Sequence, residues 1–207
     1  MMSQLFIIHP ENPQMRLIKK AVDIIRDGGV IVYPTDTGYA LGCHLGDKYA
    51  LDRIIQIRQL SEKHHFTLIC RDLSEISTYA SFDTPVFRLL KAHTPGPYTF
   101  ILRATREVPK RLMHPKQKSI GIRIPDFSVA QALLEELNEP MMTTTLILPE
   151  ETDPLTDADE IRNRVGSQVD LILDGGHCGT IPTSMIDLRE VEPVVLREGK
   201  GDLTPFL

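Results

Sequence analysis

The segment "PTDTGY", residues 34 to 39, puts two hydroxyls, a carboxylate and a phenol within six positions, directly after the apolar run "VIVY". Thr35 and Thr37 can donate and accept hydrogen bonds, Asp36 offers a carboxylate, Gly38 permits close backbone approach, and Tyr39 carries a ring with a polar tip. The same residue types also suit a surface turn, so other segments must decide between turn and site. In "SIGIRIP" a period of two puts Ile120, Ile122 and Ile124 on one face and Gly121, Arg123 and Pro125 on the other. Arg123 therefore stands at a strand end, on the face without bulky apolar residues, and a guanidinium suits bidentate binding of carboxylate or phosphate. "MMTTTLIL" interrupts an apolar run with Thr143, Thr144 and Thr145, so that hydroxyls face both sides of the strand. "PTSMIDL" sets Thr183 and Ser184 before a further strand, and "VVLREGKGD" ends one on Arg197. Together these residues could line a polar, cationic crevice that holds an anion such as a nucleotide phosphate.

The elements that must position them follow from hydrophobic period. Between Pro13 and Arg26, Met15, Ile18, Ala21, Val22 and Ile25 fall at helical spacing, with Asn12 as N-cap and Pro13 in the first turn. "VIVY" reads as a buried strand bounded by Pro34, with "PTDTGY" hanging off its end. Asp47 caps a second helix bearing Leu51, Ile54, Ile55 and Arg58, and "FTLIC" is a second buried strand. Helices are expected around 74–80 and 84–92, the latter with Thr84 as cap and Pro85 at the first position. "PGPYTFILR" and "SIGIRIP" read as strands, Asp126 or Ser128 opens a helix through "VAQALLEELN", and "PMMTTTLIL" gives another strand. An acidic linker over 149–158 leads to a short helix near 158–165, and "VDLILDGG", "SMIDL" and "EPVVLREG" close the chain as strands. Strands that alternate with helices and read as near-continuous apolar runs imply an α/β sheet covered on both faces, in one domain over 1–207. In such sheets ligands bind beyond the strand ends.

Composition bounds the function. With 42% hydrophobic and 25% charged residues, the 207-residue chain is an ordinary globular protein. No apolar run is long enough to span a bilayer and the N-terminus lacks a signal pattern, so a cytoplasmic protein without membrane association is expected. Cys43, Cys70 and Cys178 are too widely spaced for a disulfide framework or a CxxC metal site, and adjacent His64 and His65 point apart, so no metal is expected. A net charge of −5 speaks against a surface that grips nucleic acid throughout. The local exception is residues 103–123, with Arg103, Arg106, Lys110, Arg111, Lys116 and Lys118 beside Arg123 against the single acid Glu107. This segment is the candidate RNA-binding surface, weighed against a solvated basic face. Neither GxxxxGK[ST] nor GxGxxG occurs, and no nucleophile elbow singles out a serine.

"YPTDTGYALGC", "PGPYTFIL", "IGIRIP", "PTSMIDL" and "LREG" stand in the order and near the spacing of the YrdC-like family, which the chain resembles from its first helix to Gly199. "IRQL" followed by "HFTLIC" makes the YciO subgroup the nearest match. The resemblance implies a YrdC/RibB-like fold, a three-layer α/β (α+β) domain with a twisted mixed sheet around a concave cavity. It implies threonylcarbamoyl-adenylate synthesis from threonine, bicarbonate and ATP, with Mg²⁺ possible, in threonylcarbamoyladenosine modification of tRNA. Thr35, Arg58 and Thr145 would then be catalytic. Thr35, Asp36, Tyr39, Arg58, Arg123, Thr143, Thr145, Thr183, Ser184 and Arg197 would bind substrate and ATP or AMP. Two motifs depart from the pattern. Active members carry Lys-x-Arg where this chain reads Arg58-Gln59-Leu60, and Ser-x-Asn where it reads Thr145-Leu146-Ile147. A weakened or redirected synthase is therefore expected, and the alternative is a non-catalytic protein that binds double-stranded RNA, rRNA or tRNA.

Overall fold

The computed structural model describes residues 2–61 and 63–207. In chain order the elements are β1 (Gln4–Ile7), α1 (Met15–Arg26), β2 (Ile31–Thr35), β3 (Gly38–His44), α2 (Lys48–Arg58), β4 (Thr67–Ile69), α3 (Leu73–Tyr79), β5 (Ala80–Ser81) and α4 (Thr84–His93). There follow β6 (Tyr98–Ala104), β7 (Ser119–Arg123), α5 (Ser128–Leu137), β8 (Met141–Thr145), α6 (Ala158–Val165), β9 (Leu171–Asp174), β10 (Ser184–Asp187) and β11 (Val194–Arg197). One mixed sheet takes the strands in the order β1-β9-β2-β3-β8-β4-β7-β6-β10-β11, with β5 added beside β6. The pairs β1 with β9, β9 with β2, β4 with β7 and β6 with β10 are parallel, and the other neighbours are antiparallel.

The register decides which side chains share a face. Met142, Leu68, Ile122, Phe100 and Ile186 lie in one row across β8, β4, β7, β6 and β10. They pack with Leu51, Ile54 and Ile57 of α2, Leu90 of α4 and Ile161 of α6 in one core. On the opposite face Ile31, Tyr33, Ile69, Met141 and Leu173 meet Ile18, Val22 and Ile25 of α1 and Leu133 and Leu134 of α5 in a second core. Helices thus cover both faces, as the apolar runs predict. The second face is not apolar throughout. Its adjoining row, Thr143, Thr67 and Gly121, is polar or bare, and the hollow described below opens there.

Helix starts depend on aspartates. Asp47, Asp72, Asp83 and Asp157 each accept the backbone N–H three residues on, at 2.8–3.0 Å. Asp83 therefore replaces the expected Thr84 as the cap of α4. Asn12 does not cap α1, which starts at Met15 behind Gln14; Gln14 instead accepts the His9 N–H, and the Asn12 N–H bonds His9 Nδ1. Neither Asp126 nor Ser128 caps α5, whose N-cap is Phe127. Pro34 does not end β2 but lies inside it, opposite Tyr39. Beyond Val32, β2 no longer pairs with β9, so the missing proline N–H forfeits no rung. The segment after it does not hang free: Asp36 and Thr37 form a two-residue hairpin turn, and β3 returns antiparallel to β2.

Gly121 allows β7 to lie flat beside β4. A Cβ there would sit 2.6 Å from Thr67 Oγ1 and 3.0 Å from the Phe66 carbonyl oxygen. Gly121→Ala is expected to cost about 1–3 kcal/mol by overpacking, and urea unfolding of the variant against the parent checks this.

Candidate functional site

The polar half of the second sheet face forms the floor of a hollow with about 650 Å³ of atom-free space, mouth included. Thr143 and Thr145 of β8, Thr67 of β4 and Thr99 of β6 contribute to its lining, joined by Thr35 from the hairpin and Thr183 before β10. Three guanidiniums reach it from separate elements: Arg58 closes α2, Arg123 closes β7 and Arg197 closes β11.

Arg123 is buried and its Nη2 is ion-paired with Asp36 of the hairpin turn, whose side chain is 10% exposed. The Nε atoms of Arg123 and Arg58 are buried without a hydrogen-bond partner among the described residues. Arg58 donates through Nη1 to the Ile147 carbonyl, and burial holds its pKa below the ordinary arginine value. Arg197 donates through Nε to the Thr183 carbonyl at 3.0 Å and through Nη2 to Thr183 Oγ1 at 2.8 Å. Its pKa is lowered by burial and then by Arg123. The hydroxyls are networked as well: Thr183 Oγ1 lies 2.8 Å from Thr99 Oγ1, and Thr143 Oγ1 lies 2.5 Å from the Tyr33 hydroxyl. Burial pushes that phenol up to about 12, so Tyr33 stays neutral.

His64 and His65 also line the hollow. Burial, then the Arg58 charge, then His65 and Arg197, push His64 down to about 4. His65 is lowered by burial, then by His114 and Arg189, against which Asp187 acts. At neutral pH the cavity therefore carries three cations and two neutral imidazoles, with Asp36 as the acid paired to one cation. Such a lining favours an anionic ligand rich in hydrogen-bond acceptors.

The structure brings together Thr35, Arg58, Arg123, Thr143, Thr145, Thr183 and Arg197 among the residues singled out from the sequence. It places three others differently. Asp36 is the counter-ion of Arg123 rather than a free ligand group, and its carbonyl accepts Lys200 Nζ at 2.7 Å. Tyr39 lies in the wall, but its ring is packed in the first core and its hydroxyl donates to the Gly176 carbonyl at 2.7 Å. Ser184 is absent from the lining: its hydroxyl donates to the Gly201 carbonyl and accepts the Gly199 N–H, which fixes the segment after Arg197.

The basic segment does not act as one block. Only Arg123 of it, among the described residues, enters the cavity. Arg103 pairs with Glu190 at 3.1 Å and Arg111 with Asp52, while Arg106, Lys110, Lys116 and Lys118 are exposed along the β6–β7 connection. The sequence reading missed Thr67, Thr99 and Met185, which also line the cavity. The signal was present in "FTLIC" and "PYTFIL", where one threonine stands among apolar and aromatic residues, as Arg123 does in its own strand.

Fold and site together define an α/β protein with an arginine- and threonine-lined cavity on the open half of its sheet, and comparison with known proteins places it. The chain belongs to the Sua5/YciO/YrdC family, whose model, described as "Telomere recombination", matches residues 23–199. It is 59% identical to the protein YciO of Escherichia coli K12 over the full length of both chains. The crystal structure of E. coli YciO superposes with a TM-score of 0.97 over both whole chains. A threonylcarbamoyl-AMP synthase of Vibrio vulnificus is 26% identical over 161 residues, which are 76% of this chain and 86% of that protein. The fold is shared with P. abyssi Sua5, crystallised with L-threonine: TM-score 0.87 at 24% identity, over 95% of this chain and 58% of that one. The mixed α/β fold that the resemblance implies is thus present. No helix among the described residues is long and apolar enough to cross a membrane.

The neutral imidazoles make stability pH-dependent. The pKa of His64 in the fold lies below the unfolded value of about 6.5. As pH falls through 6.5 the unfolded chain takes up the proton and the folded chain does not, so stability drops toward pH 4. The urea midpoint is expected to fall between pH 7 and pH 5, and to fall less in His64→Gln.

Proposed function

We propose that the cavity binds ATP together with threonine and bicarbonate and joins them as threonylcarbamoyl-adenylate, slowly or with a related substrate in place of threonine. The observation that carries this reading is the convergence of Arg58, Arg123 and Arg197 on a threonine-lined hollow, with two buried Nε–H groups left without a partner among the described residues. Threonine and bicarbonate condense to a carbamate with loss of water. A carbamate oxygen attacks the α-phosphorus, the bond to the β-phosphate oxygen breaks, and pyrophosphate leaves. Charge spread over the phosphate oxygens is what fixed guanidiniums stabilise, because they are oriented before reaction begins. Thr35 and Thr145 would orient the carbamate. Mg²⁺ would enter on the triphosphate as part of the substrate.

The reduced rate follows from the two altered motifs. Leu60 lies outside the cavity lining and Ile147 offers its carbonyl to Arg58 rather than an amide to the ligand. Each missing polar contact is expected to remove about 10² to 10³ in rate. A product of this kind would feed threonylcarbamoyladenosine modification of tRNA. The RNA-binding alternative has less support, since among the described residues of the basic segment only Arg123 lines the cavity and the others are dispersed along an exposed connection.

Pyrophosphate release from Mg-ATP is expected to require both threonine and bicarbonate, and absence of any ATP or AMP binding in isothermal titration overturns the reading. Arg123→Leu, which leaves Asp36 buried without its cation, is expected to cost about 3–5 kcal/mol of stability. Arg123→Leu with Asp36→Asn should regain much of that stability in urea unfolding yet still fail to bind ATP.

A further inference from the structure

Beside the cavity lies a second hollow that the proposed reaction leaves without an occupant. It has about 890 Å³ of atom-free space, mouth included, with Ile55, Leu60, Phe66 and Met113 among its lining and Lys110 and Arg111 contributing its cations. His64 lines this groove as well as the cavity, so the two hollows share a wall. Its ring meets Phe66 edge-on, with centroids 5.3 Å apart.

The chemistry of the groove differs from that of the cavity. Where the cavity has a floor of threonines the groove has aliphatic, thioether and phenyl surface, with Ser61 as its one hydroxyl among the described residues. Among the described residues no acid lines it. Arg111 is paired with Asp52 while remaining about half exposed, 46%, and the Lys110 ammonium enters no ion pair among the described residues. An apolar interior with cations beside it selects a ligand with a flat apolar body and an anionic end. A nucleobase offers a π-face for Phe66 and for the polarizable Met113 sulfur, and its phosphate suits Lys110 and Arg111. The lining comes from two segments, residues 55–66 and 110–115.

We propose that this groove is a second ligand site, for a free mononucleotide, with the base on the Phe66 and Met113 surface and the phosphate at Lys110 and Arg111. His64 makes it the neighbour of the cavity, the position an acceptor for a group activated there would need. The site itself is independent of the reaction proposed for the cavity.

Two methionines separate the sites in one experiment. Met113 lines the groove and Met185 the cavity. Their methyl resonances, assigned with Met113→Leu and Met185→Leu, are followed in the full chain as AMP and, separately, ATP are added. AMP is expected to move the Met113 signal saturably, on a different curve from Met185. Lys110→Glu, a change at an exposed position, should raise the AMP concentration at half-shift of Met113 about tenfold or more and leave the Met185 curve where it was. A Met113 signal unmoved at millimolar AMP overturns the proposal, as does one that follows Met185 on a single curve indifferent to Lys110→Glu. A response of Met113 to a short single-stranded oligoribonucleotide but not to AMP overturns the free mononucleotide in favour of nucleic acid. If Met185 responds to ATP while Met113 stays silent to AMP, the cavity reading stands and the groove is removed; silence of both to both ligands removes both.

Discussion

The buried ion pair between Arg123 and Asp36 is the constraint on which the site depends. A guanidinium at the end of a central strand, with side chains on both sides removed from water, is tolerable only if a carboxylate meets it. The carboxylate comes from the turn between β2 and β3, so the pair ties the hairpin to the far side of the cavity. Lys200 fastens the same turn from outside through the Asp36 carbonyl. A charge that would otherwise oppose folding thereby holds the mouth of the hollow in shape. It also leaves the guanidinium with an N–H that has no partner among the described residues and is open to a ligand.

The second constraint is that a sheet covered by helices has no need of a polar patch, and this one has a patch only where α1 and α5 do not pack. Ile31, Tyr33, Ile69 and Met141 fill the covered half of the face, while Thr67, Gly121 and Thr143 occupy the open half. One strand can serve both: β4 puts Ile69 under the helices and Thr67 in the cavity, two residues apart. The transition from core to site therefore takes place within single strands, and backbone hydrogen bonding continues unbroken across it.

Much of this was legible from pattern. The period of two in β7 placed Arg123 on the polar face, because alternation is a local property of extended chain. The helices and most strands were read at nearly their observed bounds. Long-range pairing was not legible: Asp36 and Arg123 are 87 positions apart, and nothing local in "PTDTGY" distinguishes a counter-ion from a ligand group. β3 was hidden because residues 38–43 are buried throughout and show no alternation, while Gly38 and Gly42 interrupt the apolar run by which the other buried strands are recognised. Ser184 and Tyr39 misled for a related reason. Each carries a polar group at the right place in the chain, but the hydroxyl is taken up by backbone groups, Gly199 and Gly201 in one case and Gly176 in the other.

The threonine floor has a further consequence. A hydroxyl turns to donate or accept as its neighbour requires, so a carpet of threonines has no fixed polarity and imposes little preference among oxygen-rich ligands. Selectivity must then reside in the walls, where Arg58, the His64–His65 pair and Arg197 come from helix and strand ends and connecting segments. Such positions can exchange residues without disturbing the sheet ladder. The architecture separates what holds the chain together from what chooses its ligand, so relatives of one fold can drift toward different substrates by changing a few residues at the rim.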